Sequence, residues 1–198
     1  MNKRYLVSTL LFYFISLVSL GQAMEEDYAI YSNNFDFKQG IYLSFNEFKS
    51  NSPGLIEEFE RRGNNILVFN DSAKKFLAVN PNSVWGYCYD NNVYISAEGG
   101  FWKIVNVGQL SQFTAIVITK FQTVDTFGFP IERYSKVLSQ LFLDFNTGEV
   151  KRLKKENLLP YLEETNILSK KVEKKLKSEE GLIMALKEYN KLNPIYFP

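Results

Sequence analysis

Near its middle the chain reads VWGYCYDNNVYISAEGGFWKIVNV (Val84–Val107), a stretch that holds both tryptophans and the only cysteine. Two tight turns are predicted in it, at Asn91–Asn92 and at Glu98–Gly100, because asparagine and glycine tolerate the positive φ of hairpin turns. The stretch therefore predicts three consecutive antiparallel strands, and in the first hairpin Cys88 is expected opposite Ile95.

Side chains alternate between the two faces of a strand, so this hairpin is predicted to have one aromatic and one smaller aliphatic face. The aromatic face is the candidate ligand- or partner-binding surface, and it consists of Trp85, Tyr87, Tyr89 and Tyr94. Two interpretations stay open at this point. The face is either part of the protein's own core, since buried aromatic rings dominate core energetics, or an exposed interaction site.

Short apolar runs separated by turn residues surround this stretch, from Gly40–Ser44 to Glu149–Arg152. A short helix is expected at Leu55–Arg62, where charged helix-forming residues end at Gly63. From Lys154 onward the apolar period becomes helical. This order predicts an α+β fold, in which an antiparallel barrel-like or sandwich β-sheet of about nine short strands precedes roughly two or three C-terminal helices.

Three parts of the chain differ in pattern: a signal peptide over residues 1–21, a β-rich domain over 22–153 and a C-terminal helical segment over 154–198. The first part combines two basic residues, an apolar run and small residues around a cleavage point, which is typical of a signal peptide. Cleavage after Gly21 and cleavage after Ala23 fit equally well. An uncleaved anchor is the alternative, although the run is shorter than the ~20 residues that span a bilayer.

Export to the periplasm or the cell surface is therefore predicted. The charge is nearly balanced, with 23 Lys and Arg against 22 Asp and Glu, so no electrostatic footprint for nucleic acid is present. No later run is long enough for a transmembrane segment in the mature chain. The expected partner is an envelope protein or a small ligand. Cys88 has no second cysteine to pair with, which favours a buried thiol.

Composition excludes much of enzyme chemistry. The chain has no histidine, which removes Ser-His-Asp and Cys-His catalysis together with His-ligated metal sites. One cysteine cannot form a zinc cluster, and no phosphate-binding loop is present, so no cofactor, metal ligand or catalytic residue is assigned. Ser72 and Lys75 match the Ser-x-x-Lys spacing of serine acyl-transfer enzymes, but the companion Lys-Thr-Gly is missing.

Two other functional classes remain as alternatives. A carboxylate-dependent hydrolase acting on glycan or peptidoglycan would need a pair of acidic residues, and the candidates in predicted turns and loops are Asp90, Glu98, Asp125 and Glu132. A structural envelope component would use the lysine-rich face of the C-terminal helices to dock on a membrane, although a solvated face is the simpler interpretation.

One long loop is predicted at residues 122–136, because Gly128 and Pro130 interrupt the strand pattern there. Loops of this length are often functional, so this loop is expected to gate the aromatic face. The leading functional prediction is a non-enzymatic, exported module of the cell envelope that binds a ligand or partner through that face.

Three longer segments resemble a family of uncharacterised exported proteins of Bacteroidota. They are GIYLSFNEFKSNSP (Gly40–Pro53), VWGYCYDNNVYI with GGFWKIVNVGQLSQF (Val84–Phe113), and LFLDFNTGEVKRLKKENLLPYLEE running on to ALKEYNKLNP (Leu141–Pro194). The resemblance is one of overall pattern, and it implies an envelope location and strands before helices but no activity. Asp71-Ser72-Ala73 also resembles the O-glycosylation triplet of Bacteroidota, which makes Ser72 a candidate modification site, with an ordinary polar turn as the alternative.

Overall fold

The predicted hairpins form one seven-stranded antiparallel sheet, in which the strands lie in the order 150–152, 130–144, 110–124, 100–106, 92–97, 86–89 and 40–42. The computed structural model describes residues 29–32, 35–56, 58–63, 65–165 and 170–198. The strands of the large sheet are β2 (Gly40–Tyr42), β6 (Gly86–Tyr89), β7 (Asn92–Ala97), β8 (Gly100–Asn106), β9 (Leu110–Val124), β10 (Pro130–Asp144) and β11 (Val150–Arg152). From β6 to β11 every neighbour in the sheet is also the next strand in the chain.

Two smaller sheets and four helices complete the described fold. The smaller sheets pair β3 (Phe59–Arg62), β4 (Asn65–Asn70) and β5 (Lys75–Ala78), and β1 (Ala29–Ile30) with β12 (Tyr196–Phe197). The helices are α1 (Phe45–Lys49), α2 (Lys155–Glu164), α3 (Lys170–Lys175) and α4 (Glu179–Leu192). The predicted α+β fold, with a curled antiparallel sheet before C-terminal helices, is confirmed.

One face of the large sheet is covered by α1 and by segments from early and late in the described chain. Phe37, Phe48 and Phe197 are buried against sheet residues that include Cys88 and Phe113. The rings of these three phenylalanines have centroids between 5.4 and 5.9 Å apart. Aromatic packing of this kind stabilises a core beyond the area that it buries.

The opposite face is covered in two places. Over β6 to β8, Phe59 and Ile66 of the three-stranded sheet form a buried cluster with Tyr87. Over the base of β9 and β10, helices α2 and α4 cover Leu110 and Phe142. The large sheet is therefore the middle layer of a sandwich, in which different segments of one chain cover its two faces.

Residues 55–62 contradict the helix predicted there. Leu55 forms an isolated bridge with Ile41, and Phe59–Arg62 is a strand that pairs with β4. Phe59 is buried against Tyr87 from this strand. Tertiary packing therefore overrides the helix propensity of the charged residues, as it commonly does over short segments.

The first turn of the central stretch lies one residue earlier than predicted. Its two loop residues are Asp90 and Asn91, with φ of +51° and +53°, because aspartate also tolerates the left-handed region. Cys88 consequently pairs with Val93, and the predicted pairing with Ile95 is wrong by two positions. A shift of two positions leaves each side chain on its predicted face.

The turn is anchored to a distant segment through Asn91. Its Oδ1 accepts a hydrogen bond from Phe37 N at 2.9 Å, and its Nδ2 donates to Phe35 O at 3.1 Å. Buried or half-buried backbone groups need such partners. The side chain of Asn91 thus joins the hairpin to the segment that leads into β2.

Two residues that disfavour helix lie within the C-terminal helices. Pro160 is the sixth residue of α2, where it cannot donate the hydrogen bond of a helix interior. Gly181 lies in the first turn of α4, where Ser178 Oγ accepts from its N–H at 3.1 Å. A Cβ at Gly181 would lie 1.9 Å from Lys175 O, so glycine permits the tight passage from α3 to α4.

The residues Ile30–Phe197 form one compact unit. The predicted signal peptide, residues 1–21, lies outside the described residues. Within the described part of the chain, no helix has both the length and the apolar character needed to cross a lipid bilayer.

Candidate functional site

Tyr87 and Tyr94 of the predicted aromatic surface are core residues. Their rings stack with centroids 4.6 Å apart, and the guanidinium carbon of Arg61 lies 4.7 Å from the Tyr94 ring centroid. Only 1% of Tyr87 is exposed. Burial raises the pKa of Tyr87 to about 12, against a smaller lowering by the Arg61 charge. The three-stranded sheet thus covers the part of the surface that these two tyrosines occupy.

Trp85 lies on the other side of the large sheet, so its predicted place beside Tyr87 is wrong. Its ring stacks on Phe48 with centroids 4.2 Å apart and an interplanar angle of 16°, within the cluster that α1 covers. The alternation breaks at Gly86, where a Cβ would lie 2.2 Å from Tyr94 O. Because glycine has no side chain, the backbones of β6 and β7 can approach closely at Gly86. Trp85, the residue before it, consequently lies on the opposite face of the sheet from the predicted one.

Tyr89 alone of the four predicted residues is more than a third exposed, at 37%. Its ring lies 5.9 Å from that of Phe59, at the edge of the same cluster. The four aromatic residues therefore do not form one open surface. The interpretation of Tyr87 and Tyr94 as core agrees with their burial, and a binding role for Tyr89 stays a prediction.

A long two-stranded ribbon replaces the predicted loop at residues 122–136. The β9–β10 ladder runs without interruption from Leu110↔Asp144 to Val124↔Pro130, and the connecting turn is only residues 125–129. Pro130 begins β10, a position that needs no ladder donor. The prediction failed because Gly128 and Pro130, which interrupt the sequence pattern, mark a turn of five residues instead of a long loop.

The outer part of this ribbon has no further strand paired to it in the described structure. β8 pairs with β9 only up to Phe113, and β11 pairs with β10 only from Leu141 onward. Residues 114–140, named the arm here, are thus a hairpin of two strands. At 3.3–3.4 Å per residue the arm is about 34 Å long, and its base packs on the body, because Ala115 and Val117 are buried in the cluster that α1 covers.

The arm exposes apolar side chains on both of its faces. Phe127 in the turn is 85% exposed and Phe129 67% exposed, and Val124 beside them is 63% exposed. Nearer the body of the protein, Leu138 is 70% exposed. The other exposed large apolar residues of the arm are Ile116, Ile118, Phe121, Tyr134 and Val137. Exposed apolar side chains in this number on one hairpin are typical of an interaction site.

The turn at the tip of the arm is ordered by Asp125. Its Oδ1 accepts hydrogen bonds from Phe127 N and Phe129 N, both at 2.8 Å. Its backbone N–H donates to Phe129 O at 2.8 Å, and Gly128 has a φ of +84°. An aspartate side chain that closes a turn in this way holds the following residues in place. Phe127 and Phe129 are therefore presented by a fixed backbone.

Charged residues and a tyrosine follow directly behind the apolar tip. Lys120 forms an ion pair of 2.5 Å with Glu132. Arg133 and Lys136 are exposed and have no ion pair among the described residues, and Tyr134 lies between them. We name Lys120, Arg133, Tyr134 and Lys136 the collar. Along its axis, the arm thus changes from an apolar tip to a basic and aromatic zone.

Besides the arm, the structure has a concave feature on the other side of the body. A cleft of about 550 Å³ opens between the ends of α2 and α4, the segment before β9 and the turn after β10. Three tyrosines contribute to its walls, Tyr161, Tyr189 and Tyr196, beside the amides of Gln109 and Asn146. Small-molecule sites have volumes of about 300–1,000 Å³, so this cleft has the size of a ligand site.

A hydrogen-bonded chain fixes one wall of the cleft. The Tyr161 hydroxyl donates to Asp144 Oδ2 at 2.9 Å and accepts from Lys151 Nζ at 3.1 Å. Asp144 is buried, and its Oδ1 accepts from Asn146 N at 2.9 Å. Burial raises the pKa of Tyr161, and the hydrogen bond to Tyr161 raises the pKa of Lys151. Each group in this chain has a partner, so the arrangement is structural.

The four candidate carboxylates for hydrolysis are separated or engaged in structural contacts. Asp90 and Glu98 lie in the turns at opposite ends of β7, which are about 17 Å apart for six strand residues. Asp125 closes the turn of the arm, and Glu132 pairs with Lys120. The described structure brings no two of these four carboxylates together. The hydrolase alternative therefore has no catalytic pair among them.

Ser72 and Lys75 are exposed at the β4–β5 turn. Asn70 Oδ1 accepts from Ala73 N at 2.7 Å in this turn, which is an ordinary Asx arrangement. The position of Ser72 leaves its hydroxyl accessible, and its glycosylation stays a prediction. Cys88 is buried, and its thiol lies 3.7 Å from Phe37 O. Burial raises the pKa of Cys88 to about 12, which disfavours the reactive thiolate.

Among the described residues, no group of three or more acidic or cysteine side chains is placed to hold a metal ion. The sequence analysis points to residues 122–136 of the arm, though as a loop, and to none of the residues that line the cleft. The arm had a signal, since an apolar run on each side of a Gly-x-Pro turn is the pattern of a hairpin. The cleft had none, because its walls come from segments that are far apart in the chain.

Comparison of the chain with family models, with curated proteins and with solved structures found no match. The resemblance to exported proteins of Bacteroidota therefore stays a prediction. The arm and the cleft are the two features of the described structure that bear on its function.

Proposed function

We propose that this protein is a non-enzymatic binding module of the cell envelope, exported to the periplasm or the cell surface, and that its arm attaches it to a lipid surface. The observation that supports this proposal is the exposure of Phe127 and Phe129, at 85% and 67%, on a turn that Asp125 holds in place. Exposed apolar area at the end of a projecting hairpin has to be covered by a partner or a lipid.

The order of side chains along the arm fits a lipid surface. The tip, from Val124 and Pro130 outward, is about 10 Å long at the rise of a β-strand. Interfacial segments bury their apolar side about 5–10 Å into the boundary between headgroups and acyl chains. Tyr134 lies behind the tip, and tyrosine is enriched at the level of the headgroups.

The charge of the collar favours anionic lipids. Arg133 and Lys136 are exposed, whereas Lys120 and Glu132 neutralise each other in an ion pair, so these four residues together carry a net charge of +2. A basic residue near an anionic membrane contributes about 1 kcal/mol to binding. Arg133 and Lys120 lie about 10–13 Å behind Pro130 and Val124 along the strands, so these two would reach the lipid headgroups when the tip is in the interface.

Asp125 limits how deeply the tip can enter. Its Oδ1 is engaged by two N–H groups of the turn, yet the carboxylate still carries a charge whose transfer into hydrocarbon is costly. The tip is therefore suited to the interface and not to the middle of a bilayer.

The width of the tip argues against a second protein molecule as its occupant. A stable protein interface buries roughly 800 Å² on each partner, with complementary shapes. A turn of five residues, 125–129, is too narrow to supply that area alone, so a protein partner would have to extend along the exposed sides of the arm. A lipid surface needs no complementary shape and accepts a narrow apolar tip.

Vesicle co-sedimentation tests the proposal. The chain from Gln22 onward contains the complete unit Ile30–Phe197 and lacks the apolar run of the predicted signal peptide, which would bind lipid by itself. We expect it to sediment with vesicles of phosphatidylcholine and phosphatidylglycerol and less with phosphatidylcholine alone. Phe127→Ser with Phe129→Ser should weaken this binding at least about tenfold, because about 2 kcal/mol is lost with each buried ring.

Phe69→Ser with Phe76→Ser is the matched control. These two exposed phenylalanines contact each other on β4 and β5, with centroids 5.3 Å apart, and lie away from the arm. The control should bind vesicles as the unchanged chain does, and thermal melting should verify that both double variants are folded. Equal vesicle binding by the two double variants, or self-association that only the tip variant abolishes, would overturn the proposal.

A further inference from the structure

The cleft is independent of the arm and has a chemistry of its own. It is bounded by the C-terminal ends of α2 and α4, by Gln109 before β9 and by Asn146 after β10. Glu164 lies at its rim. Four segments that are distant in the chain therefore meet around one concave volume of about 550 Å³.

The walls of the cleft combine aromatic rings with uncharged hydrogen-bonding groups. Tyr196 is exposed and Tyr161 is half-buried, so these two supply the ring surface, whereas Tyr189 is only 5% exposed. Gln109 and Asn146 supply amides that both donate and accept. Among the described residues that line it, no lysine or arginine is present. Such a wall matches a neutral molecule with many hydroxyls and offers no counter-charge to a phosphate or a carboxylate.

The wall on the side of α2 is rigid before any ligand arrives. Tyr161 is held by Asp144 at 2.9 Å and by Lys151 at 3.1 Å, and Asp144 also accepts from the backbone of Asn146 at 2.9 Å. A site whose groups are fixed in advance loses less conformational entropy on binding. This supports a binding site in preference to an incidental groove.

The wall on the side of α4 is equally fixed. The Tyr189 ring lies edge-on to Tyr161 with centroids 5.9 Å apart. The residue after it, Asn190, makes two hydrogen bonds with the backbone of Leu110. At the helix end, Asn193 Nδ2 donates to Tyr189 O at 2.9 Å. The two rings are in contact and form one continuous wall, which hydrogen bonds hold in place on both helices.

The number of carboxylates distinguishes binding from hydrolysis. Glycoside hydrolysis in its common forms uses two acidic residues on either side of the bond. Of the described residues that line the cleft, only Glu164 is acidic, and the nearby Asp144 is buried in its hydrogen bonds with Tyr161 and Asn146. The cleft can hold a saccharide without cleaving it.

We propose that this cleft is a binding site for a short neutral oligosaccharide. A sugar ring would lie against a tyrosine ring with its apolar face, and its hydroxyls would bond to Asn146, Gln109 and Glu164. The proposal does not rest on lipid attachment by the arm, and either can fail without the other. The site would let a chain attached to one surface hold a glycan of its surroundings.

Saturation-transfer NMR and calorimetric titration with three probes test this site: maltotriose, cellotriose and triacetylchitotriose. We expect saturable binding of at least one of them to the chain from Gln22 onward. Asn146→Trp, which fills the cleft with a larger side chain, should weaken that binding at least tenfold. Asn146→Ala removes two hydrogen-bonding groups with little effect on the turn, whose bond to Asp144 uses the backbone N–H, and it should weaken binding several-fold.

Asn82→Trp is the matched control, because Asn82 is exposed in the turn before β6 and does not line the cleft. It should bind the probes as the unchanged chain does. Vesicle binding, measured on the same samples, should be unaffected by both tryptophan variants, which separates this site from the arm. No saturable binding of any of the three probes, equal binding by Asn146→Trp and Asn82→Trp, or release of shorter sugars would overturn the proposal.

Discussion

Asn190 pairs with Leu110 through its side chain in the way that a neighbouring strand would pair through its backbone. Asn190 Oδ1 accepts from Leu110 N at 2.8 Å, and Nδ2 donates to Leu110 O at 2.9 Å. The space for this contact is left by Gly108, where a Cβ would lie 2.4 Å from Asn190 Nδ2. Helix α4 is thus attached to the start of β9, and with it the Tyr189 wall of the cleft.

Replacing Asn190 should therefore destabilise the protein clearly. Asn190→Ala leaves a donor and an acceptor of Leu110 without their partners, and each such loss costs about 1–3 kcal/mol. We expect a fall of about 2–3 kcal/mol in the free energy of unfolding, measured by urea denaturation. Asn82→Ala, at an exposed turn, should stay within about 0.5 kcal/mol. Similar effects of the two changes would contradict the structural role of Asn190.

Gly86 should be among the least replaceable residues of the large sheet. In Gly86→Ala the added Cβ would lie 2.2 Å from Tyr94 O, so the β6–β7 pairing has to move, at a cost of about 1–3 kcal/mol or more. Gly63→Ala is the comparison, because a Cβ there meets nothing within 4 Å and only its φ of +62° is strained, at about 1–2 kcal/mol.

Urea denaturation of the two glycine variants should rank Gly86→Ala as the less stable. The near-ultraviolet circular dichroism of Gly86→Ala should also change. Trp85 precedes this glycine, and the face of the sheet on which its ring packs depends on the close approach at Gly86. An unchanged tryptophan signal together with equal stability would show that the close approach at Gly86 is not required.

Alkaline conditions should destabilise the fold partly through Cys88. The ordinary pKa of the thiol is 9.0, and burial, reinforced by the Asp36 and Asp90 charges, raises it to about 12 in the folded chain. Above pH 9 the unfolded thiol ionises while the folded thiol remains protonated. The stability contributed by the neutral thiol is therefore present below pH 9 and is lost as the pH rises towards about 12.

Cys88→Ala isolates this effect. The decline in the free energy of unfolding between pH 8 and 11 should be less steep in the variant than in the unchanged chain, because the variant has no thiol to ionise. The absolute stability of the variant is lower at neutral pH, so the slopes are compared. Parallel slopes would mean that the Cys88 thiol does not contribute.

Asp125→Asn should strengthen vesicle binding by the arm. Asparagine keeps an Oδ1 that accepts from Phe127 N and Phe129 N, and it removes the charge that opposes both anionic headgroups and entry into the interface. We expect a several-fold increase in affinity for anionic vesicles in co-sedimentation. A decrease, with an unchanged melting temperature, would contradict the placement of the tip in lipid.

The central hairpins could be predicted because their turns are local. Glu98 and Gly99 adopt φ of +50° and +73°, and glycine at such a turn is a direct signal of chain reversal. The position of Trp85 could not be predicted in the same way. Alternation assumes an unbroken strand, and the break at Gly86 depends on its contact with Tyr94, a contact that appears only once the sheet has formed.

The candidate site was harder to predict than the fold. Gly128 and Pro130 were interpreted as the interior of a loop, although the same residues close a hairpin when both neighbouring segments pair. Whether these residues lie in a loop or close a hairpin depends on the pairing of residues 114–124 with residues 130–140. The alternation of side chains in the sequence does not predict that pairing. The cleft depends on Gln109, Asn146 and Tyr189 meeting, and no local pattern reports such a contact.

The meander of the large sheet has a consequence for the order in which the chain can fold. Every pairing from β6 to β11 joins consecutive strands, and such short sequence separations favour rapid formation. The core that α1 covers, however, is completed by Phe197 and Ile195. These two residues follow every other strand of the unit along the chain. A chain that crosses a membrane from its N-terminus would therefore form its hairpins early and complete this core last, so that it stays loosely packed until its final strand has crossed.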